Sequence, residues 1–219
     1  MIIVGICGGS GSSKSTFAER IRDGLSCSCE IMRLDCYYFD QGGKPFEERT
    51  KVNYDSPEIF DFDEMLEDIR LLLDGKPVTR KGYNYAEHRR DDSEELMYPP
   101  EVLIIEGIHV FYDDRICDIM NLKLFIKVDS DICLLRRIAR DMNERGRSLE
   151  SISEQYKATV KPMREKYIDK YIDKADVVVM RGGMNEQALK TTISYLKSCV
   201  KEQRSAESEK NESDGNDSE

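Results

Sequence analysis

Gly8-Gly9-Ser10-Gly11-Ser12-Ser13-Lys14-Ser15-Thr16, near the start of the chain, is the stretch on which the fold turns. Before it, Ile2 to Cys7 is short, β-branched and not alternating, the pattern of a central parallel strand covered on both faces. After it, Phe17, Ile21 and Leu25 recur at helical spacing, with Gly24 near the end. Strand, glycine loop, helix is the context in which a G-x-x-x-x-G-K-[ST] match carries physical meaning. In such a loop successive backbone N–H groups and the helix N-terminus cradle a triphosphate. Lys14 then bridges the β- and γ-phosphates and the Ser15 hydroxyl ligates magnesium. Gly8, Gly9, Ser10, Gly11, Ser12, Ser13, Lys14, Ser15 and Thr16 are therefore the expected nucleotide-binding residues; a plain Gly/Ser turn is the reading the flanking elements argue against. Ser13 stands where the pattern has its second glycine. With first-turn helical angles a serine there costs little, whereas with φ > 0 it would lower nucleotide affinity by roughly tenfold or more. Both readings stand at this level.

Working outward, apolar strands are predicted at Glu30 to Leu34, Val102 to Ile105, Leu122 to Val128 and Val177 to Met180. Helical patterns separate them at Phe62 to Leu73 and Ile132 to Met142, and a closing helix is expected near Asn185 to Val200. Alternation of this kind implies an α/β fold, a P-loop NTPase-type three-layer sandwich around a central parallel sheet. Pro77 to Tyr85 alternates and Glu94 to Tyr98 could pair with it, so a small β-hairpin lobe is expected at about 76–100. The Gly, Lys and Glu-rich stretch Asp40 to Val52 reads as a mobile connection near the active site. One domain should span 1–203, with a helical, Arg-rich lid at about 136–165. Residues 204–219 are so polar that they read as a disordered acidic tail.

A chain of 219 residues has room for one substantial core. Its net charge of -10 argues against general duplex binding, which needs a surplus of Lys and Arg on one face. Seven cysteines without a C-x-x-C pair fit a reduced, cytoplasmic protein. No apolar run approaches the roughly 20 residues that span a bilayer, and the first residues lack the basic start of a secretory leader.

Further along stand Leu34-Asp35-Cys36-Tyr37-Tyr38, Asn53-Tyr54-Asp55-Ser56-Pro57, Tyr83-Asn84-Tyr85-Ala86-Glu87-His88 and Ile105-Glu106-Gly107-Ile108. Arg136-Arg137-Ile138-Ala139-Arg140-Asp141, Glu144-Arg145-Gly146-Arg147, Gln155 and Lys161-Pro162-Met163 follow in order. Together these motifs resemble the uridine kinase (uridine-cytidine kinase) family of phosphoribulokinase-like P-loop kinases, over roughly residues 2–198. The resemblance implies transfer of the γ-phosphoryl group of ATP or GTP, with Mg2+, to the 5′-hydroxyl of uridine or cytidine, in pyrimidine salvage.

By that resemblance Asp35 would be the general base, and a carboxylate at the C-terminal end of a parallel strand does face the ligand crevice. Asp55 and Arg137 would hold the ribose hydroxyls. Tyr38, Tyr54, Tyr83, His88 and Arg147 would surround the pyrimidine, with Gln155 nearby. A neutral His88 could donate to uracil O4 or accept from the cytosine amino group. Arg140 and Arg145 would screen the transferring phosphoryl group under a closing lid, and Glu106 would serve magnesium through water.

Each residue also has a plainer reading. Asp35 could cap a turn, Tyr83 and Tyr85 could line a half-buried hairpin face, and the arginines could pair with Asp141 and Glu144 on a solvated helix. His109 reads as structural or supporting. Where the family commonly has an acidic residue beside the adenine this chain has Met184, which leaves ATP against GTP open. The resemblance also implies a homotetramer. Two other readings remain: a related kinase for a pantothenate- or phosphoribulose-like acceptor, and a nucleotide-binding protein weakened in turnover by Ser13.

Overall fold

β1 (Ile2–Cys7) is buried along its whole length. It pairs in parallel with β5 (Val102–Gly107) on one side and β6 (Leu122–Lys127) on the other. β2 (Cys29–Arg33) and β7 (Val177–Met180) form the edges, so the order, numbered along the chain, is β2-β5-β1-β6-β7. The computed structural model describes residues 1–216.

The unbroken apolar runs are explained by two cores, one on each face. Ile3, Leu103 and Ile105 point into one, packed with Met65, Ile69 and Leu72. Val4, Ile6, Ile104, Leu124 and Ile126 point into the other, with Phe17, Ile21, Leu189 and Leu196. The helices that supply these partners are α1 (Lys14–Gly24), α3 (Phe62–Leu73) and α8 (Glu186–Asn216). α3 starts where the Asp61 carboxylate accepts from the Glu64 amide, a side-chain cap that fixes its first turn. α2 (Phe46–Arg49) and α4 (Asp114–Asp118) are single short turns of helix.

The expected hairpin is present as β3 (Val78–Asn84) and β4 (Arg89–Met97), antiparallel, with a register shift between Lys81 and Tyr83. It is fastened to the main sheet by the buried Arg80, which donates to the Ile31 carbonyl at 2.9 Å and meets Glu95 at 3.1 Å. Arg90 adds a second tie, from its Nε to the Tyr38 carbonyl at 2.8 Å. These ties hold the lobe's turn over the C-terminal ends of the strands.

The C-terminal cover is built from α5 (Ser130–Arg145), α6 (Leu149–Gln155), a π-helical turn (Tyr156–Val160) and α7 (Lys161–Lys166). α5 runs a turn past Met142 and stops at Gly146, whose φ of 62° is left-handed. The tail from Arg204, expected to be disordered, continues α8 to Asn216. Its start is tied to the body of the protein, where Arg204 Nε donates to Glu101 at 2.6 Å. Residues 217–219 of that expected tail lie outside the described residues. Among the described residues no helix is long and apolar enough to cross a membrane.

Candidate active site

The loop after β1 wraps the N-terminus of α1 beneath the C-terminal ends of the strands. Gly11 has φ 84°, and a β-carbon there would stand 2.2 Å from the Cys133 carbonyl oxygen, so only glycine fits. Ser13, the first-turn neighbour of Lys14, has φ 67° and ψ 32°. Ser13 thus occupies the left-handed region, the case in which nucleotide affinity is expected to fall. Its carbonyl accepts from the Phe17 amide at 3.1 Å, and its hydroxyl accepts from Arg136 at 3.2 Å. The turn at Gly182 and Gly183 presses on the same backbone, since a β-carbon on Gly183 would come within 2.0 Å of the Ser13 carbonyl oxygen. Left-handed angles cost a non-glycine residue about 1–2 kcal/mol. Ser13→Gly is accordingly expected to raise unfolding stability by about 1 kcal/mol in a denaturant titration; a lowered midpoint would mean that the Arg136 contact outweighs the backbone cost.

Lys14 and Ser15 meet Glu106 at the end of β5. The Ser15 hydroxyl donates to Glu106 Oε1 at 3.0 Å, Lys14 Nζ lies 4.0 Å from Oε2, and Arg33 Nε lies 3.7 Å from Oε1. Register explains the meeting, because Glu106 stands beside Ile6 of β1 and Arg33 of β2. Burial pushes the Glu106 carboxyl above its usual range while Lys14 opposes the shift. Its buried Oε2 has no hydrogen-bond partner among the described residues. A hydroxyl beside a buried, half-satisfied carboxylate is the oxygen donor set a hard divalent cation takes, and it fits magnesium.

Two residues beyond β2, Asp35 lies in a short 3-10 turn, Leu34–Tyr37, facing the same crevice. Its Oδ2 accepts from the Tyr85 hydroxyl at 2.6 Å. Around it the acceptor side closes as an aromatic box. The Tyr54 and His88 rings stack with centroids 5.1 Å apart, Tyr38 meets Tyr54 edge-on at 5.4 Å, and Tyr83 tilts against Tyr38 at 4.7 Å. The buried Tyr83 hydroxyl lies beside the Tyr54 hydroxyl. His88 is held at φ 51° in the hairpin turn. Burial, then Arg147, Arg145 and Arg49, lower its pKa, which leaves it neutral at neutral pH.

Arg137 is buried and reaches several partners at once. It donates to Ser10 Oγ at 3.1 Å and Gln155 Oε1 at 3.0 Å, and lies 3.8 Å from Asp55. Burial raises the Asp55 pKa while Arg137 and Thr159 oppose that rise. The hub of the arginines is Asp141, fully buried. Arg140 stands 2.8 Å from its carboxylate, Arg145 3.4 Å, Arg137 3.5 Å and Arg147 3.8 Å. Arg147 comes back to this point because its amide bonds the Asp141 carbonyl across the Gly146 turn.

The residues predicted for the acceptor (Asp35, Tyr38, Tyr54, Asp55, Tyr83, His88, Arg137, Arg147 and Gln155) and those predicted for the phosphoryl group (Arg140 and Arg145) line one cleft together with Ser10 and Lys14. Thr16 lies in the first turn of α1 and is exposed. Arg136 is exposed and leans toward the loop instead of the cleft. His109 is a buried strut, its ring nitrogens 2.9 Å from the Tyr171 hydroxyl and 2.7 Å from the Asp55 carbonyl. Burial lowers its pKa to about 4.

Two contributors were not predicted for this site. Tyr85 joins the cleft from the turn just past β3, and the alternation of Tyr83 and Tyr85 in the sequence was the available signal. Thr159, whose hydroxyl lies 3.1 Å from Asp55 Oδ2, sits four residues after Gln155 on a helical turn.

Residues 3–188 match the Phosphoribulokinase / Uridine kinase family. The chain is 41% identical over 201 residues to a uridine kinase of Ligilactobacillus salivarius, covering 91% of this chain and 94% of that one. It is 43% identical over 202 residues to a uridine kinase of Streptococcus uberis, covering 92% and 96%. Among solved structures, phosphoribulokinase from Rhodobacter spheroides superposes with a TM-score of 0.62 at 15% identity, covering 82% of this chain and 69% of that one, a likeness of fold.

Proposed function

The chain belongs to the phosphoribulokinase/uridine kinase family, and we propose that it transfers the γ-phosphoryl group of ATP to the 5′-hydroxyl of uridine or cytidine, a step of pyrimidine salvage. The observation that carries this reading is the single cleft in which Asp35, the aromatic box and the arginines face the loop that holds Lys14.

The polyphosphate lies on the loop amides and the N-terminus of α1, with Lys14, Arg140 and Arg145 around its outer charge. Ser15 and, through water, Glu106 would hold Mg2+, which when bound neutralises charge on the phosphate oxygens. Asp55 accepts from one ribose hydroxyl and Arg137 donates to another, a pairing their adjacency supports. The pyrimidine packs between Tyr38, Tyr54, Tyr83 and His88, with Arg147 and Gln155 at its polar edge. Neutral His88 offers a donor or an acceptor by choice of tautomer, which suits both uracil and cytosine. The acceptor's 5′-hydroxyl gives its proton to Asp35 as its oxygen bonds to the γ-phosphorus. The bond to the bridging oxygen breaks and ADP leaves.

A coupled ADP-release assay with ATP and magnesium tests this. Uridine and cytidine are expected to drive release at rates at least about 100-fold above adenosine, pantothenate or ribulose 5-phosphate, a scale set by pocket polar groups left unpaired with the wrong acceptor. Equal rates with the last two would refute the nucleoside assignment.

A further inference from the structure

Tyr85 stands just past the end of β3, in a turn folded by Asn84, whose Oδ1 accepts from the Ala86 and Glu87 amides. Its hydroxyl meets Asp35 Oδ2 across 50 residues of sequence. The ring is held from two directions. Tyr83 packs edge-on at 5.1 Å between centroids, and the Arg145 guanidinium lies 4.2 Å above the ring. Arg145 is itself anchored on Asp141. One residue of the hairpin lobe thus connects the acceptor-side carboxylate to the arginines that end α5.

A carboxylate on a short turn rotates freely about its last torsion, and in-line transfer tolerates little error in where the accepting oxygen stands. A donor clamped on Oδ2 removes that freedom and leaves Oδ1 to the substrate. Tyr85 is 37% exposed, yet desolvation of its hydroxyl and then the neighbouring carboxylate raise its pKa, so the hydroxyl stays a donor. We propose that Tyr85 is a positioning residue for the transfer, holding Asp35 through Oδ2 so that Oδ1 takes the acceptor's proton, with Arg145 holding Tyr85 in place. This rests on the reading of Asp35 as general base.

Tyr85→Phe keeps the ring and both of its ring contacts and deletes only the hydroxyl. Its kcat with uridine is expected to fall about tenfold, the scale of one charge-assisted hydrogen bond, while the KM for uridine and the Kd for ATP stay within about twofold. Because Tyr85 acts through Asp35, the same change in an Asp35→Ala background should alter residual turnover by less than about twofold. A Tyr85→Phe enzyme with wild-type kcat, or an equal loss in both backgrounds as a folding defect would give, overturns the proposal. Wild-type turnover by Asp35→Ala alone would instead remove the base assignment beneath it.

Discussion

Asp35→Ala is expected to lower uridine-dependent turnover by roughly 100-fold or more while uridine still binds, the usual scale for a lost general base. The separation follows from the layout of the cleft. Contacts proposed for the base and ribose come from Tyr54, Tyr83, His88, Asp55 and Arg137, whereas Asp35 contributes one carboxylate beside the hairpin turn. Calorimetric Kd values for uridine should therefore stay within about threefold of the parent protein. In free energy, a 100-fold loss in kcat is about 2.7 kcal/mol at the transition state. A substitution that weakened binding and left kcat intact would make Asp35 a ribose ligand instead.

The second large effect is one of stability. Asp141 has no exposed surface, yet its carboxylate faces Arg137, Arg140, Arg145 and Arg147. Removing one member of a buried charge set leaves the others uncompensated, and such losses run to about 3–5 kcal/mol. Arg140, with 32% of its side chain exposed, can recover hydration, so the lower end applies. Asp141→Ala should then cost about 3 kcal/mol and lower Tm by about 6–12 °C for a domain of this size. The neighbouring Glu144 is exposed, and Glu144→Ala should change stability by less than about 0.5 kcal/mol. Equal effects at the two positions would show that the arginine cluster is held by something other than the buried carboxylate.

Asp141 and Glu144 also mark the limit of what the sequence discloses. At helical spacing both can neutralise the same arginines, and only the packing of α5 decides which is enclosed. The sheet and its order of elements were legible because strands covered on both faces must be continuously apolar, and Ile2 to Cys7 and Val102 to Ile105 are. The hairpin was legible from the alternation before Tyr85.

Ser13 was not, since a serine adopts left-handed angles only where surrounding backbone imposes them. Close against the Ser13 backbone lies Gly183, 170 positions away in the chain. The cleft's long-range contacts, such as Tyr85 to Asp35 and Thr159 to Asp55, depend on the hairpin and the π-helical turn folding over the sheet.

The most direct test is a crystal structure of the protein with magnesium, a non-hydrolysable ATP analogue and uridine. The polyphosphate is expected on the amides between Gly8 and Ser15, and the uridine 5′-oxygen about 3 Å from Asp35 on the line to the γ-phosphorus. Uridine seated with that oxygen remote from Asp35, or a triphosphate lying off the loop, would contradict it.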